Sequence, residues 1–360
     1  MPLSPTQLDR ATGVLLGTAV GDALGVPYEF ESRILRADET PQMLGGGLGD
    51  FAPGEWSDDT SMALAIALVA ATGADLNSDD ALDAVGENFL RWFDGGPPDV
   101  GTQTRAVLSA TRRRLDSGER GVSRIMREES RRYADARPRS AGNGALMRTA
   151  PVALAHLDDR DRLADAARLV ASLTHADPLA GDSCVLWCEA IRVAVLDGRI
   201  DVFAGLDLLP ADNAAQWQRW LGDALVCDPK VFVPNGFTVT ALQAATAAIT
   251  QTPADDATHL EHTLYAAIRI GNDTDTVAAI AGGLLGARWG AGVVPIDWCH
   301  ALHGWPQHRG RLTTAQELID FATIIASDKR APRGVTASGV AQRLSSGMLS
   351  DTAHSSVSPL

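Results

Sequence analysis

Apolar residues recur at intervals of three and four positions along most of this chain, and runs that alternate apolar with polar residues are nearly absent. That spacing collects apolar side chains on one face of an α-helix. Alanine, which favours helices, is abundant, while stretches of β-branched residues are rare. The pattern predicts a mostly helical protein. A repeat of fixed period, which would indicate a solenoid, is not visible.

Capping residues precede several apolar stretches and predict where helices begin. Asn77 or Ser78 and, further along, Asp212 have side chains that can accept hydrogen bonds from the first amides of a helix. Thr314 followed by Glu317 has the spacing of a capping box. We expect a helix to start at each of these three places.

Another predicted helix, from about Gln7, carries a stripe of glycines at four-residue spacing. The stripe consists of Gly13, Gly17, Gly21 and Gly25. Because glycine has no side chain, a second backbone can approach closely there. In a membrane such a stripe would favour helix dimerisation, but Asp22 and the short apolar length indicate the buried central helix of a bundle. Gly282 and Gly286 form a shorter version of this stripe later in the chain.

Composition sets limits on the number of domains. With 360 residues, of which 45% are hydrophobic and 21% charged, the chain can bury one large core or two smaller ones. No segment has the composition of a linker, whereas residues 336–360 contain few apolar side chains. We expect one domain over residues 1–335 and a flexible tail over residues 336–360.

Charge and hydropathy narrow the choice of partners. A formal net charge of −14 disfavours general binding to nucleic acid or anionic membranes. No signal region is visible and no apolar run reaches the roughly 20 residues of a membrane span, so we expect a cytoplasmic monomer without membrane contacts. Residues 105–139 differ, with eleven Arg against five Asp or Glu. They form either a solvated helical face or a surface for a polyanion.

The four cysteines are too few for a disulfide framework in a chain of this length, and we expect buried thiols. They are Cys184, Cys188, Cys227 and Cys299. Two groups of residues would permit a zinc site: His259 with His262, and Cys299 with His300, His303 and His308. No Cys-x-x-Cys pair accompanies them, and histidines on helix faces are common without zinc.

Two acidic clusters each lead directly into an alanine-rich apolar stretch. They are Trp56-Ser57-Asp58-Asp59-Thr60 and Gly271-Asn272-Asp273-Thr274-Asp275-Thr276. One carboxylate can cap a helix, but adjacent carboxylates cannot all cap the same end, and they repel each other unless a cation lies between them. Together the clusters offer enough oxygen atoms to hold two divalent cations, Mg²⁺ or Mn²⁺.

A glycine-bearing turn precedes a short helix predicted at Thr149 to His156. Its sequence is Ser140-Ala141-Gly142-Asn143-Gly144-Ala145-Leu146-Met147-Arg148. Small residues in such a turn expose backbone amides, which can bind phosphate oxygens. Because Gly-Asn-Gly also occurs in ordinary turns, this segment alone does not specify a ligand.

Five segments, in order, resemble the ADP-ribosylglycohydrolase family, which includes dinitrogenase reductase-activating glycohydrolase. Besides the two acidic clusters and the glycine-bearing turn, they are Gly21-Asp22-Ala23-Leu24-Gly25 with Glu29, and Thr174-His175-Ala176-Asp177-Pro178. The Asp-Thr-Asp-Thr core of the last cluster is the most specific. The resemblance implies an all-α fold, a compact orthogonal multi-helix bundle with a binuclear metal cleft, and hydrolysis of the bond between ADP-ribose and an acceptor.

The resemblance also implies roles for individual residues. Two Mg²⁺ or Mn²⁺ ions would be held by Ser57, Asp58, Asp59, Asp273, Asp275 and Thr276, with Asp275 as the bridge. The catalytic residues would be Asp275, Glu29 and, by a looser match, Asp99. The diphosphate would be held by Ser140, Gly142, Asn143 and Gly144, and the adenosine end by His175 and Phe237. The alternatives for the last two are a hydrogen-bonded histidine at a helix end and a core aromatic.

The resemblance leaves the acceptor open. Arginine on a protein is favoured, and the alternatives are ADP-ribosyl-serine, nucleic-acid-linked ADP-ribose and small ADP-ribosyl compounds. A catalytically silent ADP-ribose binder or a crystallin-like structural protein would be a different class. The mutually repelling carboxylates argue against that class, because a protein without a metal has no physical reason to keep them.

Overall fold

A computed structural model describes residues 2–254, 256–308 and 310–327. Within these ranges the chain forms fourteen α-helices and one small sheet, which confirms the all-α prediction. The first seven helices are α1 (Pro5–Gly25), α2 (Asp58–Ala70), α3 (Asp79–Asp94), α4 (Thr102–Asp116), α5 (Val122–Asp135), α6 (Ala150–Ala155) and α7 (Arg160–Ser172). The others are α8 (Pro178–Asp197), α9 (Ala211–Val226), α10 (Thr238–Gln251), α11 (Thr258–Ile270), α12 (Thr274–Trp289), α13 (Ile296–Ala301) and α14 (Ala315–Ala326). The strands are β1 (His303–His308) and β2 (Arg311–Thr314).

Two of the three predicted helix starts are confirmed. Ser78 caps α3 by accepting a hydrogen bond from a first-turn amide, and Thr314 and Glu317 form the predicted capping box at the start of α14. The start at Asp212 is wrong, because α9 follows Pro210 and places Asp212 in its first turn. A carboxylate is favourable in either position, since the helix dipole attracts negative charge throughout the first turn.

The glycine stripe of α1 packs against the shorter stripe of α12, and the two helices run antiparallel. A Cβ atom added at Gly13 would overlap the carbonyl of Gly286, and one at Gly17 would overlap the carbonyl of Gly282. The two backbones are therefore in direct contact, as the spacing predicted. Both helices are buried along most of their length and lie at the centre of the core.

The antiparallel pair β1–β2 is a feature that the helical pattern did not predict. His303 pairs with Thr314 and His308 with Arg311, and the register shifts between Gly304 and Gln307. The sheet covers the start of α2, because the indole N–H of Trp56 donates a hydrogen bond to the carbonyl of Trp305 at 3.2 Å.

The side chain of His308 lies outside the described part of the structure, and the other members of the two histidine groups form no zinc site there. The groups of potential metal ligands found there consist of carboxylates. Both ring nitrogens of His259 are already used, one with the carbonyl of Ile249 at 3.0 Å and the other with the indole N–H of Trp289 at 3.1 Å. His303 Nδ1 lies 2.9 Å from the carbonyl of Ala301. His259 therefore has a structural role.

The arginine-rich segment, residues 105–139, spans α4 and α5, and several of its arginines form ion pairs. Arg114 bonds to three carboxylates at once, those of Glu119, Glu128 and Glu129. This network favours the solvated helical face over a surface for polyanions. All four cysteines are free. Burial is confirmed for Cys184 and Cys188 on α8, whereas Cys227 and Cys299 are only partly buried, so the prediction is wrong for these two. Among the described residues, no helix is long and apolar enough to cross a membrane. The predicted tail lies outside the described residues.

Candidate metal centre and substrate cleft

The packing of α1 against α12 brings the end of one helix to the start of the other. A Cβ at Gly25 would overlap the backbone of Asp275, so these two helix ends are in contact. The hydroxyl of Thr274 donates a hydrogen bond to the carbonyl of Gly25 at 2.8 Å and ties them together. Asp22 and Glu29, at this end of α1, thereby come next to the second acidic cluster.

The carboxylate of Asp22 organises the start of α2. One oxygen accepts the backbone N–H of Ser57 at 2.9 Å, and the other accepts the N–H and the hydroxyl of Thr60 at 3.0 and 2.7 Å. Asp22 therefore caps α2 from a different helix. The side chain of Ser57, the N-cap residue, accepts no capping hydrogen bond.

Because Asp22 satisfies the first amides of α2, Asp58 and Asp59 do not act as caps. Asp59 Oδ2 accepts the hydroxyl of Ser57 at 3.0 Å, while Asp59 Oδ1 is buried and has no hydrogen-bond partner among the described residues. Asp58 Oδ2 lies 3.4 Å from the backbone N–H of Gly101. Both carboxylates remain available for a ligand, and the capping interpretation of this cluster is excluded.

Two asparagines hold the second cluster in place. Asn143 donates its side-chain amide to Asp273 Oδ2 at 2.8 Å. The side chain of Asn235 accepts the backbone N–H of Asp273 at 2.9 Å and donates to the carbonyl of Gly271 at 3.1 Å. The start of α12 is thus fixed by loops from other parts of the chain.

The acidic side chains form two groups that share one residue. The first group is Asp22, Asp59 and Asp275; the second is Glu29, Asp273 and Asp275. In each group one oxygen from every carboxylate lies within 4.8 Å of the others. The two clusters predicted to converge do converge, and all five carboxylates are buried.

Burial and mutual repulsion make these carboxylates poor acids. Desolvation, strengthened by Asp273 and Asp99, raises the pKa of Glu29 to about 9. Desolvation and the nearby Asp99 raise the pKa of Asp58 to about 8. The pKa values of Asp59 and Asp275 rise well above their usual range for the same reasons, burial first and neighbouring carboxylates second. A divalent cation would remove this repulsion.

These residues fit a metal centre. The donors are carboxylate and hydroxyl oxygens, which are the ligands that hard divalent cations prefer. Within the described ranges the buried Asp59 Oδ1 has no hydrogen-bond partner, and leaving a buried oxygen unsatisfied is costly. The clustered acidic residues can therefore bind metal.

The backbone around Glu29 is unusual and directs this residue to the site. Phe30 and Glu31 have left-handed φ angles of 43° and 61°, which non-glycine residues rarely adopt. The backbone N–H of Phe30 donates to the carbonyl of Asn272 at 2.7 Å, and Asn272 itself has a φ of 67°. Two strained turns are thus joined, and they hold Glu29 beside Asp273 and Asp275.

A cleft of about 400 Å³ opens from these carboxylates. Six of the eight residues predicted to bind metal or act in catalysis lie on its wall: Glu29, Asp58, Asp99, Asp273, Asp275 and Thr276. The glycine-bearing turn and His175 line the same cleft. Ser57 and Asp59 lie deeper, in contact with each other. The cleft wall also includes three residues that the sequence analysis did not predict, Gln103, Tyr133 and Arg139.

The glycine-bearing turn is held more tightly than its sequence indicated. The backbone N–H of Asn143 donates to the carbonyl of Gly236 at 3.1 Å, so this amide is not free for a phosphate. A Cβ at Gly144 would lie 2.9 Å from His175 Cε1, and one at Gly142 would lie 3.3 Å from His175 Nε2. Glycine is needed at Gly144 because the imidazole ring packs against it.

Ser140 and Phe237 lie beside the cleft and are not among the residues on its wall. Ser140 is buried, with its hydroxyl 3.5 Å from Asp177. Phe237 pairs through its backbone with Gly142, and its half-buried ring packs on the hydrophobic core. Their substrate contacts stay predictions.

The sequence pattern missed two residues that build the site, Asp22 and Asn235. Asp22 lies in the first of the five segments that resemble the family, and the local signal for its role was a carboxylate on an otherwise apolar helix. Asn235 follows Val233-Pro234, and nothing in that loop sequence specifies a contact with Asp273.

Comparison with known proteins decides the family. The ADP-ribosylglycohydrolase family model matches residues 3–331. The chain belongs to this family. It is an ADP-ribosylglycohydrolase, a hydrolase of ADP-ribosyl linkages, and the resemblance in the five segments is confirmed.

Several characterised members of the family are similar to this ADP-ribosylglycohydrolase. ADP-ribosylarginine hydrolase Tri1 of Pseudomonas putida is 30% identical over 328 residues, covering 89% of this chain and 81% of that protein. ADP-ribosyl-[dinitrogen reductase] glycohydrolase of Rhodospirillum rubrum is 29% identical, with coverages of 83% and 92%. A solved ADP-ribosylglycohydrolase-related protein complex has a TM-score of 0.63 and 28% identity, covering 90% of this chain and 99% of that one.

Proposed function

We propose that this ADP-ribosylglycohydrolase is metal-dependent and cleaves the bond between ADP-ribose and arginine on a protein. The observation that carries the proposal is the pair of carboxylate groups that share Asp275, which itself lies on the wall of the cleft. A single buried carboxylate would be weak support for a metal. Five clustered carboxylates, with an oxygen of Asp59 that has no hydrogen-bond partner among the described residues, favour a bound cation much more strongly.

Two Mg²⁺ or Mn²⁺ ions would occupy this centre. The proposed ligands are Ser57, Asp58, Asp59, Asp273, Asp275 and Thr276, and Asp22 and Glu29 add a carboxylate to each group. Asp275 belongs to both groups and is the proposed bridge. When bound, such cations supply Lewis acidity that orients ribose hydroxyls and lowers the pKa of water.

Hydrolysis forms a bond from a water oxygen to the anomeric carbon and breaks the bond from that carbon to the acceptor nitrogen. One proton must leave the water, and one must reach the departing nitrogen. Glu29 and Asp99 are both on the cleft wall and are the proposed carriers of these protons. The backbone turn at Phe30 holds Glu29 in this position.

The rest of the substrate would lie along the cleft, away from the carboxylates. We place the diphosphate at the turn formed by Ser140, Gly142, Asn143 and Gly144, and the adenosine end towards His175 and Phe237. Arg139 is on the same wall and supplies a positive charge for a dianionic group.

Arginine is favoured as the acceptor for two reasons. The related Tri1 protein is named an ADP-ribosylarginine hydrolase, and the R. rubrum relative acts on ADP-ribosyl-dinitrogen reductase. In addition, a guanidinium is a cation, and carboxylates such as Asp99 on the cleft wall would attract it as it approaches and leaves.

A panel of substrates tests the proposal. The purified protein is incubated with ADP-ribosyl-arginine, ADP-ribosyl-serine, nucleic-acid-linked ADP-ribose and a small ADP-ribosyl compound, each with Mg²⁺, Mn²⁺ or EDTA. We expect release of ADP-ribose from arginine, and loss of activity in EDTA. Preference for another linkage would contradict arginine as the acceptor, and full activity in EDTA would contradict metal dependence. Binding of ADP-ribose without turnover would favour a catalytically silent ADP-ribose binder.

A further inference from the structure

The imidazole of His175 is buried beneath the glycine-bearing turn, with one nitrogen directed inwards and the other towards the cleft. Nδ1 lies 2.8 Å from the hydroxyl of Thr174. Nε2 is the atom nearest to the place where a Cβ of Gly142 would lie, and His175 lines the cleft wall. No protein group in the described ranges hydrogen-bonds to Nε2.

Behind Thr174 lies Arg148, whose guanidinium is completely buried. Its Nη2 donates to the hydroxyl of Thr174 at 2.6 Å, and the guanidinium stacks on the ring of Phe89 with 4.4 Å to the centroid. Within the described chain no carboxylate forms a salt bridge with Arg148. Burying a cation without an ionic partner is unfavourable. The burial of Arg148 behind Thr174 therefore needs an explanation.

The chemistry of the three side chains determines where the protons lie. Arginine can only donate, so the hydroxyl oxygen of Thr174 must accept from Arg148. The one proton of that hydroxyl is then free to be donated to Nδ1 of His175. If Nδ1 carried the proton instead, the hydroxyl proton would be buried without an acceptor in the described structure, which is unfavourable.

The same arrangement keeps the imidazole neutral. Burial and the positive charge of Arg148 lower the pKa of His175 to about 3. Burial also lowers the pKa of Arg148, to about 10, so the guanidinium keeps its charge at neutral pH. A neutral imidazole with an accepting Nδ1 carries its proton on Nε2.

We propose that Arg148 and Thr174 are positioning residues that fix His175 as the Nε2–H tautomer, which presents a hydrogen-bond donor to the cleft. The ring lies against the turn at which the proposed function puts the diphosphate. The natural acceptor is therefore a phosphate oxygen next to the adenosine end of ADP-ribose, and this part rests on the proposed function. The order Arg148 to Thr174 to His175 explains why a cation is buried behind a substrate-binding turn.

The tautomer is measured directly in the free protein. Long-range ¹H–¹⁵N spectra of the histidine-labelled full chain distinguish a protonated from an unprotonated ring nitrogen, and His175→Gln assigns the signals. We expect wild type and Thr174→Ser to have an unprotonated Nδ1 and a protonated Nε2. In Thr174→Val, which keeps the shape and removes the hydroxyl, we expect the proton to move at least partly to Nδ1.

Binding of ADP-ribose gives a second measurement. Thr174→Val should weaken binding about tenfold, Thr174→Ser should restore it, and Thr246→Val should leave both tautomer and affinity unchanged. Thr246 is the matched control, because it is equally buried but its hydroxyl has no hydrogen-bond partner in the part of the chain that the structure describes. A wild-type Nδ1–H tautomer, or a Thr174→Val variant with unchanged tautomer or affinity, would overturn the proposal.

Failure of the proposed function would give a different result. In that case wild type would neither bind nor hydrolyse ADP-ribosyl compounds, but His175 would still have the Nε2–H tautomer and Thr174→Val would still change it. The positioning role of Thr174 would then stand, and the proposed function would be refuted. Arg148→Met extends the test if its helical CD spectrum and melting temperature remain close to wild type, and it should then change the tautomer as Thr174→Val does.

Discussion

The carboxylate of Asp22 accepts both the backbone N–H and the hydroxyl of Thr60, at 3.0 and 2.7 Å, although the two residues lie on different helices. Helix α2 is therefore capped by a residue of α1. This contact leaves Asp58 and Asp59 free of capping, and the packing of α1 against α12 places Asp22 next to Asp275.

Replacing Asp22 by Asn should weaken metal binding and reduce activity by about 10- to 100-fold, because supporting ligands of a metal centre have effects of that size. Titration of Mn²⁺ by electron paramagnetic resonance measures the affinity. Thr60→Val is the control, since it removes one hydrogen bond to Asp22 and keeps the backbone N–H; it should cost about 1 kcal/mol of stability. Equal metal affinity in Asp22→Asn and wild type would contradict this role.

Replacing Asp275 by Asn should reduce hydrolysis by about 1,000-fold or more, since about 4 kcal/mol of transition-state stabilisation corresponds to that factor. The helical CD spectrum should not change. Asp297→Asn provides the control, because Asp297 is an exposed carboxylate in the first turn of α13. An active Asp275→Asn variant would show that the centre is not catalytic.

The metal-free protein should become less stable as the pH rises. The pKa values of Glu29 and Asp58 are raised to about 9 and about 8 in the folded protein. The protonated carboxyl groups stabilise the folded protein fully when the pH is below their pKa values in the unfolded chain. This stabilisation is lost as the pH rises through their pKa values in the folded protein, by at most about 1.4 kcal/mol per pH unit for each group. Melting temperatures in EDTA should fall between about pH 5 and about pH 9.

Adding Mg²⁺ or Mn²⁺ should raise the melting temperature most at the alkaline end of this range, because the carboxylates are then charged and can bind the cation. The variant Glu29→Gln should show a smaller dependence on pH in EDTA, since one titrating group has been removed. A melting temperature that rises towards about pH 9 in EDTA would refute the expected dependence.

Replacing Gly144 by Ala should weaken ADP-ribose binding about tenfold, or about 1.4 kcal/mol. A methyl group there would lie 2.9 Å from His175 Cε1, so the imidazole would have to move. Gly181→Ala is the control, because a Cβ at that position has its nearest neighbour at 3.5 Å. Calorimetric titration with ADP-ribose measures the difference, and equal affinities would mean that the ring can shift without loss.

Replacing Gly17 by Ala should destabilise the protein by about 3 kcal/mol, because the added methyl would overlap the carbonyl of Gly282 and force α1 and α12 apart. Gly222→Ala on α9 should instead be neutral or stabilise the protein by up to about 1 kcal/mol, since nothing lies within 4 Å of the added Cβ. Urea denaturation of both variants measures the two effects, and a Gly17→Ala variant as stable as wild type would disprove the close contact.

Local sequence rules determined the helices and much of the chemistry. Apolar spacing predicted the helical fold, Ser78 and Thr314 marked two helix starts, and the glycine stripe of α1 predicted a close backbone contact. Each of these features depends on residues within a few positions of one another, so the chain alone specifies them. The two acidic clusters were visible because adjacent carboxylates at a helix start are physically unfavourable without a cation.

Tertiary structure decided which oxygen atoms meet. Asp22 caps α2, Asn235 holds Asp273, and the turn at Phe30 bonds to Asn272, and each contact joins segments distant in sequence. Such hydrogen bonds depend on how whole helices pack, and no local periodicity encodes them. Helix packing also decided three other features: that the α1 stripe contacts α12, that the sheet covers the start of α2, and that Asp275 belongs to both carboxylate groups. The directions of the helices and the distances between their ends are set only when the core forms.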